Sequence, residues 1–213
     1  MNGLTILYED EEIFVINKNS GLAVQGGANV KYSIDVDFAE EIGQKIFLVH
    51  RLDKDTAGLM ILAKTQVAAS KWTKLISSKA VKKEYIAICA GTIEPKKGII
   101  CEKIVQHGEE KKAVTHYEVE KEIETECGKL SQIRLLLETG RMHQIRIHLA
   151  KNSCPIAGDD QHGNFKLNKQ LKKSLGIKKL LLASVKLTVP MQSHTMQSQN
   201  QVFEIPLPDY MCF

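Results

Sequence analysis

Short runs of β-branched and aromatic residues, separated by polar turns, fill the first part of the chain. Residues 5–8 and 13–16 are two such runs, with four acidic residues between them. This pattern is typical of two strands joined by a turn. Residues 46–49 and 59–63 are almost entirely apolar, which predicts two strands that are buried on both faces.

Helical spacing of apolar residues follows the second buried run. The apolar positions in this region are Val67, Ala68, Trp72, Leu75 and Ile76. Their spacing predicts a helix that starts at Thr65 or Gln66 and ends near Lys79. We also predict a short helix over residues 33–43, capped by Ser33, and a helix over residues 142–151 with Ile145 and Leu149 on one face.

Several later segments have the composition of strands. They are residues 83–90, 115–120, 132–137, 180–189 and 202–205, with Pro190 expected to end the fourth of them. The order of these elements predicts an α+β fold with a large, mixed, mostly antiparallel β-sheet and flanking helices. The sequence contains neither a repeat nor a clear linker, so we predict one domain over residues 1–213.

Composition narrows the class of protein only a little. The 213 residues are 43% hydrophobic and 25% charged, and the net charge of +4 permits RNA or another polyanion as a partner. The five cysteines contain no C-x-x-C pair, which argues against a disulfide framework and a zinc ribbon. The sequence has no secretory signal and no apolar run long enough for a bilayer, so we expect a cytoplasmic protein without a membrane partner.

Polar residues crowd the loop between the two buried strands. Asp53 lies in this loop with Arg51 and Lys54 close in sequence. Nearby cations hold a carboxylate ionised, as a nucleophile must be. Residue types alone nevertheless favour an ordinary charged turn.

A second polar segment follows the predicted strand over residues 132–137. It contains Arg141, His143, Gln144, Arg146 and His148. A helix N-terminus that carries arginine and glutamine attracts a phosphate or a carboxylate. The two histidines are five residues apart, whereas a metal-binding pair on one helical face needs three or four, so a metal site is the less favoured interpretation.

Three motifs in the same order resemble those of RluA-type pseudouridine synthases. The first is His-Arg-Leu-Asp at 50–53, followed by Thr-Ala-Gly-Leu at 56–59 and Ala-Lys at 63–64. The second is Lys-Glu-Tyr at 83–85, where a tyrosine in a strand would otherwise indicate packing alone. The third is Arg-Met-His-Gln-Ile-Arg-Ile-His at 141–148. Fainter similarities occur at 17–22 and 155–163, and the resemblance spans residues 7–190.

The resemblance implies the pseudouridine synthase fold with a central active-site cleft. It also implies an enzyme that isomerises uridine in structured RNA without a cofactor or a metal. Asp53 is then the catalytic carboxylate, Arg146 pairs with it, and Tyr85 stacks on the detached uracil. The expected partner is ribosomal or transfer RNA, and we expect a monomer without a separate N-terminal RNA-binding domain.

Further residues are expected to contact the RNA. By resemblance, Arg51 fills the space that the flipped base leaves. The remaining expected RNA-binding residues are His50, Lys83, Arg141, His143 and Gln144. The lysines of residues 166–179 are candidate phosphate contacts, or they simply form the solvent-exposed face of a helix.

Two other functions stay open. One is a non-catalytic RNA-binding protein on the same scaffold, although Asp53, Tyr85 and Arg146 are all retained. The other is a metal-dependent hydrolase that uses His50, Asp53, His143 and His148. The chain also departs from the family pattern in places, for example at His162, where tyrosine is common.

Overall fold

The computed structural model describes residues 3–28, 30–106, 108–192 and 198–212. Ten strands are described: β1 Leu4–Glu9, β2 Ile13–Lys18, β3 Phe47–Leu48, β4 Ala57–Ala63, β5 Lys82–Ala90, β6 Lys97–Gln106, β7 Glu109–Thr125, β8 Gly128–Leu137, β9 Leu182–Gln192 and β10 Ser198–Glu204. The α-helices are α1 Ala39–Glu41, α2 Gln66–Ser77, α3 Gln144–Lys151 and α4 Phe165–Ser174. None of the helices in these ranges combines the length and the apolar character needed to cross a membrane.

The chain divides into two compact units. The first contains Met1–Lys83 and Ser184–Pro206, and the second contains Glu84–Ala183 and Leu207–Phe213. Each unit has its own strands and helices, so each is described separately.

The first unit is built on strands in the order β1-β2-β4-β9, with β3 added to β4 and β10 added to β9. The pairs β1–β2, β2–β4, β3–β4 and β9–β10 are antiparallel. Every residue of β4 is buried, as the continuous apolar run of this strand predicts. The strand pair predicted at the start of the chain is confirmed.

Helix α2 covers one face of these strands. Trp72 is 2% exposed and belongs to an apolar cluster with Ile13 and Val15 of β2 and Leu59 and Ile61 of β4. The helix begins where the sequence predicts, because the Thr65 hydroxyl caps it by accepting the N–H of Ala68 at 3.1 Å.

One predicted packing residue of α2 is misplaced. Val67 is 81% exposed, whereas Ala68 and Trp72 are buried. Apolar spacing identified the helix, but it assigned one residue too many to the buried face.

The second unit contains an antiparallel sheet in the order β5-β8-β7-β6. Strand β6 was not predicted, and β7 extends well beyond the predicted residues 115–120. Only Ile100 and Ile104 of β6 are buried, because β6 lies at an edge of this sheet and mostly faces solvent. The apolar residues of β6 occur in clusters and do not alternate with polar residues, and the end of β7 is mostly polar. Neither segment therefore has the alternating pattern that predicts a half-buried strand.

Helix α3 contacts β6 and β7, and buries Ile145 and Leu149 as predicted. It begins at Gln144, two residues later than predicted, because His143 has a left-handed backbone conformation with φ +53°. Helix α4 occupies most of the lysine-rich segment and buries Asn168 and Leu171.

Other predicted boundaries also differ from the structure. Residues 33–43 form a π-helical turn, Ile34–Phe38, followed by the single turn α1, and the Ser33 side chain does not cap it. Strand β3 has only two residues. Strand β9 continues past Pro190, which lies opposite Asn200 of β10. The predicted α+β class with mostly antiparallel strands is nevertheless confirmed.

Candidate active site

Asp53 lies in the loop between β3 and β4 of the first unit. Its side chain is half-buried, while Leu52 before it and Thr56 after it are 4% and 2% exposed. The carbonyl oxygen of Asp53 accepts the N–H of Thr56 at 3.1 Å, which closes a tight turn. The buried neighbours and this turn fix the backbone that carries the carboxylate.

A buried lysine, Lys18, is hydrogen-bonded to the loop that contains Asp53. Lys18 is fully buried, and its ammonium donates to the carbonyl oxygens of Asn19, Leu22 and Lys54 at 3.1, 2.9 and 2.8 Å. Burial lowers the pKa of Lys18 to about 8, although the charges of Asp55 and Asp53 oppose the shift. Lys18 therefore ties the loop after β2 to the loop of Asp53. Sequence reasoning noted only the Asn-Lys pair and gave Lys18 no role.

His50 supports the same loop. Its Nε2 accepts the N–H of Ile61 in β4 at 3.0 Å, so the ring is neutral with its proton on Nδ1. Burial, aided by the charge of Lys83, lowers the pKa of His50 to about 3. The lone pair of Nε2 is thus occupied by the protein backbone and is not free to bind a metal.

The two other predicted site residues of the first unit differ in exposure. Arg51 is exposed and donates to Gln25 Oε1 at 3.3 Å. Lys83 is only 9% exposed, and burial lowers its pKa. The geometry leaves Arg51 accessible to a large ligand, whereas Lys83 lies mostly within the protein.

Arg146 of α3 is a buried cation of the second unit. It is 8% exposed, and its Nε and Nη2 donate to the two carboxylate oxygens of Asp159 at 2.8 and 2.7 Å. Nη2 also lies 3.4 Å from Gln161 Oε1. This bidentate ion pair fixes the plane of the guanidinium group.

Asp159 is itself locked in place. Its Oδ1 accepts the backbone N–H groups of Gln161 and His162 at 3.0 Å each. Burial alone would raise the pKa of Asp159, but the hydrogen bonds from Arg146 and these N–H groups outweigh burial and lower the pKa. Asp159 was not predicted as a site residue; the only signal was the faint similarity of residues 155–163 to the family. The predicted pairing of Arg146 with Asp53 stays a prediction.

Gln144 is buried and links three segments of the second unit. Its amide nitrogen donates to Val114 O at 3.0 Å and to Thr115 Oγ1 at 2.9 Å. Its carbonyl oxygen accepts from Thr139 Oγ1 at 2.7 Å and from Arg141 N at 3.0 Å. These contacts give Gln144 a structural role, and its expected contact with RNA stays a prediction.

The histidines of the third motif have separate environments. His143 Nδ1 lies 2.9 Å from His162 Nε2, and the two rings meet edge to face. His148 is fully buried, its Nδ1 lies 2.9 Å from Thr115 Oγ1, and burial lowers its pKa. Within the described part of the chain, no group of three or more His, Cys, Asp or Glu side chains is placed to hold a metal ion.

Tyr85 lies on β5 of the second unit, opposite Leu135 of β8, and is 5% exposed. Arg141 is half-buried, with its Nε 3.4 Å from Lys112 O. The predicted site residues thus fall into two groups. His50, Arg51, Asp53 and Lys83 lie in the first unit, and Tyr85, Arg141, His143, Gln144 and Arg146 lie in the second.

Comparisons with known proteins agree with the motifs. The profile of a family described as RNA pseudouridylate synthase matches residues 12–151. Ribosomal large subunit pseudouridine synthase C of Rickettsia bellii (strain RML369-C) is 37% identical over 177 residues, which cover 76% of this chain and 58% of that protein. Ribosomal large subunit pseudouridine synthase D of Haemophilus influenzae is 35% identical over 176 residues, which cover 75% of this chain and 53% of that protein. The chain spans about half the length of these relatives.

Two solved structures share the fold. Human RNA Pseudouridylate Synthase Domain Containing 4 has a TM-score of 0.75 and 26% identity, over 97% of this chain and 89% of that one. Human RNA Pseudouridylate Synthase Domain Containing 1 has a TM-score of 0.75 and 20% identity, over 98% of this chain and 86% of that one.

Proposed function

The chain belongs to the RNA pseudouridylate synthase family, and we propose from this that it isomerises a uridine of structured RNA to pseudouridine with Asp53 as the catalytic carboxylate. Large-subunit ribosomal RNA is the first substrate to test, because the relatives are named for it. Transfer RNA is the second. We further propose that the enzyme works as a cytoplasmic monomer.

The observation that carries the proposal is the way the Asp53 loop is built. A half-buried carboxylate stands on a short turn, and the loop is pinned by the buried Lys18 and His50. Holding a reactive group in one geometry is worth a large part of a reaction barrier. A merely solvated turn has no need of a fully buried ammonium beneath it.

The proposed reaction breaks the bond between uracil N1 and the C1′ atom of the ribose and forms a bond between C5 and C1′. The proton that leaves C5 is balanced by the proton that N1 acquires, so nothing is oxidised and no co-reactant is consumed. A carboxylate can serve as a covalent catalyst at such a centre, as it does in glycosidases. The order in which Asp53 meets the sugar and the base is left open by this proposal.

The second unit contributes two further proposed residues. Arg146 is proposed to stabilise the negative charge of Asp53, and its orientation is already fixed by Asp159. Tyr85 is proposed to stack on the detached uracil and to take part in removing the C5 proton. Both roles come from the family resemblance.

The RNA contacts proposed for Arg51, His50, Lys83, Arg141, His143 and Gln144 also come from the resemblance. Of these residues, Arg51 is exposed and thus sterically free to act. The bonds of His50 and Gln144 to the protein support an indirect role, in which each residue shapes the loop that meets the RNA.

The deciding experiment replaces Asp53 by asparagine, which keeps the size of the side chain and removes its charge. We expect pseudouridine formation in an unmodified ribosomal RNA transcript to fall by about a thousandfold or more. RNA binding and thermal unfolding should stay close to those of the wild type. Carbodiimide labelling followed by primer extension measures the product. Asp55→Asn, two residues away on the exposed side of the same loop, is the matched control and should keep its activity.

Comparable turnover of Asp53→Asn and wild type would remove Asp53 from the reaction. Tight RNA binding by a wild-type protein that forms no pseudouridine would instead favour the non-catalytic RNA-binding protein. The metal-dependent hydrolase has less support, because Nε2 of His50 accepts a backbone N–H and His148 is fully buried.

A further inference from the structure

Helix α4 contains four lysines and no acidic residue. Six lysines lie within residues 166–179, and no aspartate or glutamate occurs between Asp160 and Glu204. The four lysines of α4 itself are all exposed: Lys166, Lys169, Lys172 and Lys173. Within the described ranges, none of these four forms an ion pair.

Several other surface lysines of the second unit lie beside glutamates. In the β6–β7 hairpin, Lys97 contacts Glu118 at 2.8 Å and Lys103 contacts Glu110 at 2.7 Å. Lys96 and Lys129 also lie beside glutamates. In contrast to these ion-paired lysines, the four lysines of α4 form a cluster of exposed positive charge on one helix, which is a feature of polyanion sites.

The exposed face of α4 also carries an aromatic ring. Phe165 is 72% exposed, and Lys169 and Lys173 follow it at positions i+4 and i+8. Side chains at this spacing line one helical face, and the opposite face is buried through Asn168 and Leu171. A ring beside a row of cations offers a base a stacking surface and offers its phosphates ion pairs.

This face is held rigidly to the loop that orients Arg146. The Asn168 amide nitrogen donates to the carbonyl oxygen of Asp159 at 2.8 Å, and the amide oxygen accepts the N–H of Gly158 at 3.1 Å. The carboxylate of the same Asp159 holds Arg146. Helix α4 and Arg146 therefore both contact Asp159 within this unit.

We propose that the face of Phe165, Lys166, Lys169 and Lys173 is an RNA docking surface, where Phe165 stacks on an unpaired base and the lysines bind the flanking phosphates. The proposal rests on the proposed function for its choice of RNA as the polyanion. An acidic protein would satisfy the lysines, but it would leave a solvent-exposed ring on this face without a stacking partner. RNA loops present unstacked bases together with phosphates, so they match both features.

The test measures binding of a bacterial large-subunit ribosomal RNA transcript, made in vitro without modification, over a range of salt concentrations. Lys169→Gln/Lys173→Gln should weaken binding at least about tenfold at low salt and reduce the slope of log K against log salt by about 1.4 to 1.8. Phe165→Ala should weaken binding about tenfold and leave the slope unchanged, because stacking releases no counterions. Circular dichroism melting curves verify that each variant is folded.

The matched control is Lys97→Gln/Lys103→Gln, which also removes two positive charges, but from exposed lysines that form ion pairs. It should change affinity by less than about twofold and keep the wild-type slope. Equal effects of the two double variants would overturn the proposal, since net charge alone would then explain binding. Full affinity of Phe165→Ala would also overturn it. A wild-type protein that binds through α4 but forms no pseudouridine would refute the proposed function and leave the docking surface supported.

Discussion

Single residues of this protein show how tertiary structure changes the meaning of a charged side chain. The polar residues around Lys18 are typical of an ordinary turn. In the structure, however, Lys18 is fully buried and its ammonium donates to three carbonyl oxygens. Asp159 was not predicted as a site residue, yet its carboxylate binds and orients Arg146. Each residue acts on the candidate site through another segment of the chain.

Lys18→Met is the direct test of the buried anchor. Methionine fills a similar volume but removes the ammonium that donates to the carbonyl oxygens of Asn19, Leu22 and Lys54, and, among the residues that the structure describes, only Lys54 O also accepts the N–H of Gly21. We therefore expect a loss of about 3 kcal/mol in the free energy of unfolding. Pseudouridine formation should fall as well, because the Asp53 loop loses its support. Lys71→Met serves as the control, since Lys71 forms a partly exposed ion pair with Glu12 and should cost less than about 1 kcal/mol. Equal urea midpoints for the two variants would contradict the anchor.

Asp159→Asn tests the buried ion pair of the second unit. The substitution keeps the shape of the side chain but removes the charge of Asp159 from the buried ion pair with Arg146, which costs about 3 kcal/mol. The neighbouring Asp160→Asn alters an exposed carboxylate and should cost less than about 1 kcal/mol. Urea unfolding measures the free energy of unfolding of both variants. Similar decreases for the two would show that the ion pair with Arg146 does not contribute specifically to stability.

Elements show where local pattern is sufficient and where it fails. Helix α2 was predicted with its cap because Thr65 and the apolar spacing are local signals. Strand β6 was missed because its apolar residues are clustered and do not alternate with polar residues as in a typical half-buried strand. Strand β4 was found, but the special geometry of its second residue depends on a strand far away in sequence.

Gly58 provides the test at the level of the strand. It has φ +108°, and a Cβ atom placed on it would overlap the backbone carbonyl oxygen of Ser184 in β9. Gly58→Ala should therefore cost more than about 4 kcal/mol or prevent folding, because the backbone of β9 must move. Gly21→Ala has φ +92° but open space around its Cβ, so it should cost only about 1 to 2 kcal/mol. Thermal melting compares the two, and equal losses would mean that backbone conformation, not contact with β9, makes glycine necessary.

The whole molecule should lose stability in mild acid. The pKa of His50 falls from 6.5 to about 3 on folding, and burial also lowers that of His148. Between pH 6.5 and the lower pKa the unfolded chain binds more protons than the folded protein. Stability is therefore complete above pH 6.5 and falls as pH decreases, by at most about 1.4 kcal/mol per pH unit for each histidine.

His50→Gln separates this contribution from other titrations. Glutamine can accept the N–H of Ile61 but does not titrate, so its free energy of unfolding should decline less between pH 7 and pH 5 than that of the wild type. Urea unfolding curves at several pH values give both slopes. Parallel slopes would show that His50 does not resist protonation in the folded protein.

The sequence by itself determined the α+β class, most strands, helix α2 and the order of the family motifs. These features depend on residue spacing within one segment, and side-chain periodicity records that spacing directly. The sequence also placed Asp53, Tyr85 and Arg146 in motifs that a family comparison could recognise.

Only the tertiary structure decided which groups meet. It paired Arg146 with Asp159, placed three carbonyl oxygens around the ammonium of Lys18, and left the four lysines of α4 exposed. The physical reason is that burial, hydrogen bonding and charge compensation depend on distances between segments that are remote in sequence. A charged residue has the same local pattern whether its partner is a carboxylate, a carbonyl oxygen or water, and the folded chain selects among them.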